Sequence, residues 1–200
     1  MPHQYSRSEL QLVVDELKAF IRDGFLADEV LSFYEDWLSD DRAMNPVTIR
    51  FNLQKIALLP VIENGLMAFL EYAEKKGIHL QLKAPTEELY CTADEAWVRL
   101  FFFRLFEKLL QKAPSEATIE IFLSEGDEKC LVEVLLPNKK QRPLPTDDYF
   151  KKHRITPVSE TDSSEKIFPV FSGMMEDMKG ELQYKFSREG PDYFRLKLPF

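Results

Sequence analysis

The chain is 200 residues long, with a formal net charge of −8, 44% hydrophobic residues and sixteen phenylalanines. That size and apolar content support one packed domain, or one domain with a small appendage, and exclude a disordered chain. The acidity argues against general nucleic-acid binding, which leaves a basic footprint, and the seven glycines, at positions 24, 65, 77, 126, 173, 180 and 190, are too scattered to form a phosphate-cradling loop.

Ser8 and Gln11 have capping-box spacing, and Leu10, Val13, Val14, Leu17, Phe20 and Ile21 follow at helical intervals, which predicts an amphipathic helix ending near Gly24. Asp28 can cap a second helix with a wide apolar face built from Val30, Leu31, Phe33, Tyr34, Trp37 and Leu38. Two helices this short bury little against each other. A helical hairpin over residues 1–45 is therefore expected to pack on the rest of the chain or on a second copy, which makes it a candidate homodimerisation element.

Residues 42–52 read as an extended linker with a short β segment, because Pro46 disfavours helix at Asn45 while Val47, Ile49 and Phe51 alternate. From Leu53 to Lys76 the period is helical, with Pro60 starting a new turn or kinking it and Gly77 closing it. The period then becomes two: Ile78, Leu80 and Leu82 alternate with His79 and Gln81, predicting a strand with His79 half-buried, and Leu89-Tyr90-Cys91 makes a second short strand. Asp94 caps a helix from Glu95 to Lys112, stopped by Ala113-Pro114. Phe102, Leu105, Phe106 and Leu109 form its core face, expected to lie against a sheet. Strands over Thr118–Leu123 and Cys130–Leu136 join through a turn at Glu125-Gly126-Asp127.

Residues 137–165 hold four prolines and no glycine and read as a long loop. A last helix over 166–179, with Met174, Met175 and Met178 as core filler, ends at Gly180. A hairpin of Glu181–Ser187 and Tyr193–Leu198 around Gly190-Pro191 closes the chain. This order predicts an α+β fold, a two-layer α/β sandwich with a mixed sheet over residues 46–200, preceded by the helical hairpin. Cys91 and Cys130 lie in apolar stretches with no CxxC or Cys/His cluster, which gives no disulfide framework and no metal site and favours a reduced, cytoplasmic protein. No apolar run approaches the roughly 20 residues that span a bilayer, and no membrane association is expected.

Three segments in this order carry a resemblance. AEKKGIHLQL (73–82), ADEAWVRLFFFRLFEKLLQKAP (93–114) and MEDMKGELQYKFSREGPDYFRLKLPF (175–200) are similar to the ATP-binding domain of the histidine-kinase-like ATPases, the GHKL or Bergerat fold, over about residues 27–200. The resemblance implies a nucleotide site whose elements this chain replaces. Family kinases set two asparagines four apart on the Asp-capped helix to hold Mg²⁺ and phosphates; here those positions are Arg104 and Lys108, and cationic side chains cannot coordinate a cation. A lysine can still meet a phosphate as a point charge, although Lys108 beside Glu107 and Lys112 also fits an exposed ion pair.

The family's aspartate for adenine, in an Asp-x-Gly-x-Gly turn after a strand, is replaced around Leu136, Pro137, Asn138, Lys139 and Lys140. Its glycine lid falls near Glu165 and Lys166, where a carboxylate would face a phosphate. The phosphoacceptor histidine is missing as well, since His3, His79 and His153 lie outside the predicted helices.

The lid-position loop instead concentrates the cations Lys139, Lys140, Arg142, Lys151, Lys152 and Arg154, with Tyr149 and Phe150 among them as candidate anchors. That patch would dock an acidic partner or an anionic ligand, or be a solvated loop. The resemblance implies a non-catalytic histidine-kinase-like protein, with no cofactor, that binds a response regulator or kinase of a two-component system. The alternative is a divergent ATP-binding enzyme using Lys108 and the basic lid with ATP and Mg²⁺. A histidine phosphotransferase fits less well, because those relatives keep the histidine this chain lacks.

Overall fold

A computed structural model of the chain describes residues 5–22, 49, 51–136, 167–185 and 192–200. In chain order it has α1 (Arg7–Arg22), β1 (Gln54–Ala57), α2 (Leu58–Met67), α3 (Leu70–Lys76), β2 (His79–Lys83), β3 (Tyr90–Ala93), α4 (Glu95–Lys112), β4 (Thr118–Gly126), β5 (Lys129–Leu136), α5 (Ile167–Asp177), β6 (Glu181–Lys185) and β7 (Asp192–Pro199). The second helix of the expected hairpin, the loop at 137–165 and His153 lie outside the described residues.

Five strands form one sheet in the order β2-β4-β5-β7-β6, and β1 pairs with β3 in a separate two-stranded sheet. Only β2 and β4 run parallel, since the chain between them crosses over through β3 and α4; the other ladders are antiparallel. Alternation drives the layering. Ile119, Ile121 and Leu123 on β4 and Cys130, Val132 and Val134 on β5 are buried, while their neighbours along each strand are more exposed. This is the mixed-sheet α+β fold that the sequence predicts.

Helix α4 is the centre of the helical layer. Trp97, Phe101, Phe102, Leu105, Phe106 and Leu109 are all fully buried. The rings sort by direction: Phe102 and Phe106 stack at 5.8 Å and lie over Gly65 of α2, where an added Cβ would come within 3.3 Å of the Phe106 ring, whereas Phe101 meets Phe168 and Phe171 of α5 edge-on. Phe102 and Phe106 are core residues, as expected, but they are placed by close helix–helix packing rather than by the sheet alone. Phe168 continues the cluster to Tyr184 and Phe194 on the last two strands. Met174, Met175 and Met178 are buried as core residues.

The helix ends follow local chemistry. Asp94 takes an extended conformation and accepts hydrogen bonds from the Ala96 and Trp97 amides, and its second oxygen accepts from the Asn52 amide at 2.6 Å. At the other end of α4, Lys76 Nζ donates to the carbonyls of Leu110 and Ala113, which have no partner within the helix. Gly77 closes α3 in the left-handed conformation at φ 68°. Gly180 is fixed by proximity: a Cβ there would sit 2.6 Å from the Lys197 carbonyl oxygen.

Several boundaries differ from the sequence reading. Ser6 and Glu9, not Ser8 and Gln11, form the capping box of α1, with Ser6 N donating to Glu9 Oε2 and Glu9 N to Ser6 Oγ. Gln54–Ala57 is a strand, because Tyr90–Ala93 supplies the ladder partner for a stretch whose Leu53 and Ile56 also fit helical spacing. Pro60 is the third residue of α2, where no intrahelical donor is needed, and it neither kinks nor divides the helix; the break falls at Ala68 and Phe69. The β4–β5 turn is Asp127-Glu128 with Glu128 left-handed at φ 57°, and Gly126 is the last strand residue. His79 is exposed rather than half-buried.

Substituting Asp94→Ala removes the cap and strands the Asn52 amide, and is expected to cost about 2 kcal/mol in urea unfolding, with Asp94→Asn recovering about half.

Candidate functional site

The face of α4 that bears Arg104 and Lys108 is covered by α1. The apolar stripe of α1, Val13, Leu17 and Phe20, is buried, and Phe20 packs edge-on against Phe103 at 5.4 Å. One turn from that contact the Arg104 guanidinium forks between Glu16 on α1, at 2.5 Å, and Glu107 on its own helix, at 2.7 Å. Burial alone would lower the Arg104 pKa; hydrogen bonding to Glu107 and the charges of Glu16 and Glu107 outweigh it and hold the group firmly protonated. The start of the chain has a second anchor on α5, where the buried Tyr5 hydroxyl donates to Asp177 Oδ2 at 2.8 Å. Burial, followed by that hydrogen bond, raises the Tyr5 pKa far above the ordinary tyrosine value.

Between α1, α4 and the first residue of α5 there remains a cleft of about 60 Å³, lined by Leu12, Glu16, Arg104, Glu107, Lys108, Gln111 and Ile167. Ligand pockets for drug-sized molecules typically measure about 300–1,000 Å³. Lys108 is only 6% exposed, so it is not the exposed ion pair that its neighbours in sequence suggest. Its ammonium belongs to the cleft wall, in a setting where a lysine needs compensating partners.

The remaining nucleotide-site positions divide between described and undescribed residues. Leu136 ends β5, is buried, and stands in register opposite Asp192 of β7. Asn138, Lys140 and Lys166, and the candidate partner-binding residues Lys139, Arg142, Tyr149, Phe150, Lys151, Lys152 and Arg154, lie outside the described residues. Among the described residues no group of three or more His, Cys, Asp or Glu is arranged to hold a metal ion, and no helix is long and apolar enough to cross a membrane.

Two buried ion pairs escape a sequence reading. Asp192, 3% exposed, accepts Lys112 of the last turn of α4 at 2.7 Å, which ties the helix to the sheet beside Leu136. Arg195, equally buried on β7, pairs with its cross-strand neighbour Glu133 of β5 at 2.6 Å. The available signal was β7 itself: a strand enclosed on both faces that carries Asp and Arg requires a partner for each.

Neither a protein-family model nor a curated protein matches the sequence. Solved structures do match by shape. The nucleotide-free catalytic domain of histidine kinase ThkA superposes with a TM-score of 0.58 at 17% identity, covering 74% of this chain and 96% of that one. The Acinetobacter baumannii histidine kinase AdeS gives 0.55 at 17% identity over 96% of this chain and 95% of that one, and a histidine kinase from Burkholderia phymatum STM815 gives 0.58 at 12% over 96% and 94%. The chain therefore has the fold of a histidine-kinase catalytic (ATPase) domain; at these identities the similarity establishes the fold alone.

The Glu16–Arg104 pair is half-sheltered, and a double-mutant cycle of Glu16→Gln and Arg104→Gln is expected to return about 1 kcal/mol of coupling, diminished by salt. Because folding raises the Tyr5 pKa, the contribution of Tyr5 to stability is complete below the ordinary tyrosine value of about 10 and falls as pH rises past it. Tyr5→Phe should flatten the stability profile between about pH 9 and 11, measured by chemical unfolding at each pH.

Proposed function

We propose that this chain is a non-catalytic, histidine-kinase-like module that serves two-component or phosphorelay signalling by binding other proteins, a response regulator or a kinase. The observation that carries the reading is the occupancy of the α4 face. Where the family's helix presents asparagines to Mg²⁺ and phosphates, this helix presents Arg104, and Arg104 is engaged by Glu16 of α1 and by Glu107. A protein helix thus takes the side of α4 on which a kinase would hold its nucleotide. The cleft left beside it is small compared with a ligand pocket.

The sequence supports the same reading at two further points. From Asp127 to Ser172 there is no glycine, so backbone approach to a phosphate has no permissive position there. Leucine or proline stands where the resemblance expects the aspartate for adenine, and Leu136 of that stretch is buried. The basic residues between Lys139 and Arg154 would then serve to attract an acidic partner surface, raising the encounter rate more than the final affinity.

One observation favours the alternative of a divergent nucleotide-binding enzyme: Lys108 is a buried cation among the residues that line the cleft. Thermal unfolding separates the two. With millimolar ATP or ADP and Mg²⁺ the midpoint is expected to stay unchanged. A ligand at 100 times its Kd adds about 2.7 kcal/mol, several degrees for a chain of this size, so a clear rise would overturn the non-catalytic reading. Titration with isolated receiver domains, in the same buffer, should give saturable binding that weakens with salt.

A further inference from the structure

The two cysteines, far apart in sequence, are brought together. Cys91 lies on β3 and Cys130 on β5, and both are fully buried and reduced. The Cys130 thiol donates to the carbonyl oxygen of Tyr90 at 3.3 Å, so its sulfur rests against the peptide that joins Tyr90 to Cys91. The two thiols are near enough for each to perturb the other's ionisation. We propose that Cys91 and Cys130 are a dithiol site that closes to a disulfide under peroxide, linking the two-stranded sheet to the five-stranded one.

The two sulfurs are not equivalent. The interaction with Cys91 lowers the Cys130 pKa against its own burial, and the same interaction, with desolvation, raises that of Cys91. Cys130 is therefore the sulfur that ionises first and attacks. Its thiolate takes the nearer oxygen of hydrogen peroxide, the O–O bond breaks and hydroxide leaves, giving a sulfenic acid. Cys91 then attacks that sulfur; an S–S bond forms, the S–O bond breaks, and the departing hydroxide carries away the Cys91 proton as water. Two thiols and one peroxide become one disulfide and two waters, the two electrons passing to the peroxide.

Access comes from the fold. Among the described residues β3 has β1 as its one ladder partner, and a two-stranded sheet is weakly held by itself. The strand alternates, so the Tyr90 side chain beside Cys91 is already exposed. Local opening of this ribbon admits a small oxidant without global unfolding. The bond then fixes β3, the strand that delivers Asp94 to the start of α4.

The test uses the full-length reduced protein, exposed to hydrogen peroxide while folded, alkylated, digested without reductant and read by mass spectrometry. The expected product is a monomer with the Cys91 and Cys130 peptides joined, reversed by dithiothreitol, with an unfolding midpoint raised by roughly 5 °C. Free thiols after treatment, disulfides only between chains, or sulfinic acid on the wild-type protein would each overturn the proposal. In Cys91→Ser the solitary Cys130 is expected to run on to sulfinic acid; an unoxidised Cys130 there overturns its assignment as the attacking sulfur. The wild-type measurement stands whether or not that variant folds.

Discussion

One buried carboxylate sets the frame on which the rest is hung. Asp94 is 1% exposed, and through it four elements meet: its oxygens hold the first turn of α4 and the Asn52 amide that leads into β1, its own amide meets Met178 Sδ after α5, and its position is given by β3. A carboxylate in that setting is tolerable because backbone donors surround it. Once α4 is fixed at this end and tied to β7 by Lys112 at the other, its rings fall into place between α2, α5 and the sheet.

On that frame, α4 carries a surface whose chemistry has been turned inward. The side of the helix that carries Arg104 meets another part of the same chain, and its cation answers a carboxylate of α1. An apolar stripe on α1 and an aromatic contact at Phe103 fix the direction of approach. The energies involved are modest for each contact; together they hold α1 along α4.

Much of this was legible in the sequence because the deciding signals were local. Asp94 and Pro114 bracket α4, Gly77 and Gly180 mark helix ends, and the alternation of Ile119, Ile121 and Leu123 marks a strand, each resting on a few adjacent residues. What stayed hidden depends on partners distant in sequence. Gln54–Ala57 becomes a strand only because Tyr90–Ala93 lies beside it. Lys108 reads as a surface lysine until α1 and Ile167 close around it. Glu16 gives no sign that Arg104 is its partner, and Asp192 none that Lys112 is. The capping box was mislocated by two residues because Ser6, Ser8, Glu9 and Gln11 offer two overlapping patterns, and only the amide geometry chooses between them.

The register of the sheet also determines where the chain can tolerate change. β5 ends at Leu136, locked opposite Asp192 of β7, and α5 begins at Ile167 with its side chain buried. Leu136 is held by the ladder to β7, and Ile167 by the core. The entropy of closing such a span rises only with the logarithm of its length, about 0.6 kcal/mol for each doubling. For a flexible connection between two fixed ends, a change of length therefore costs little in closure entropy.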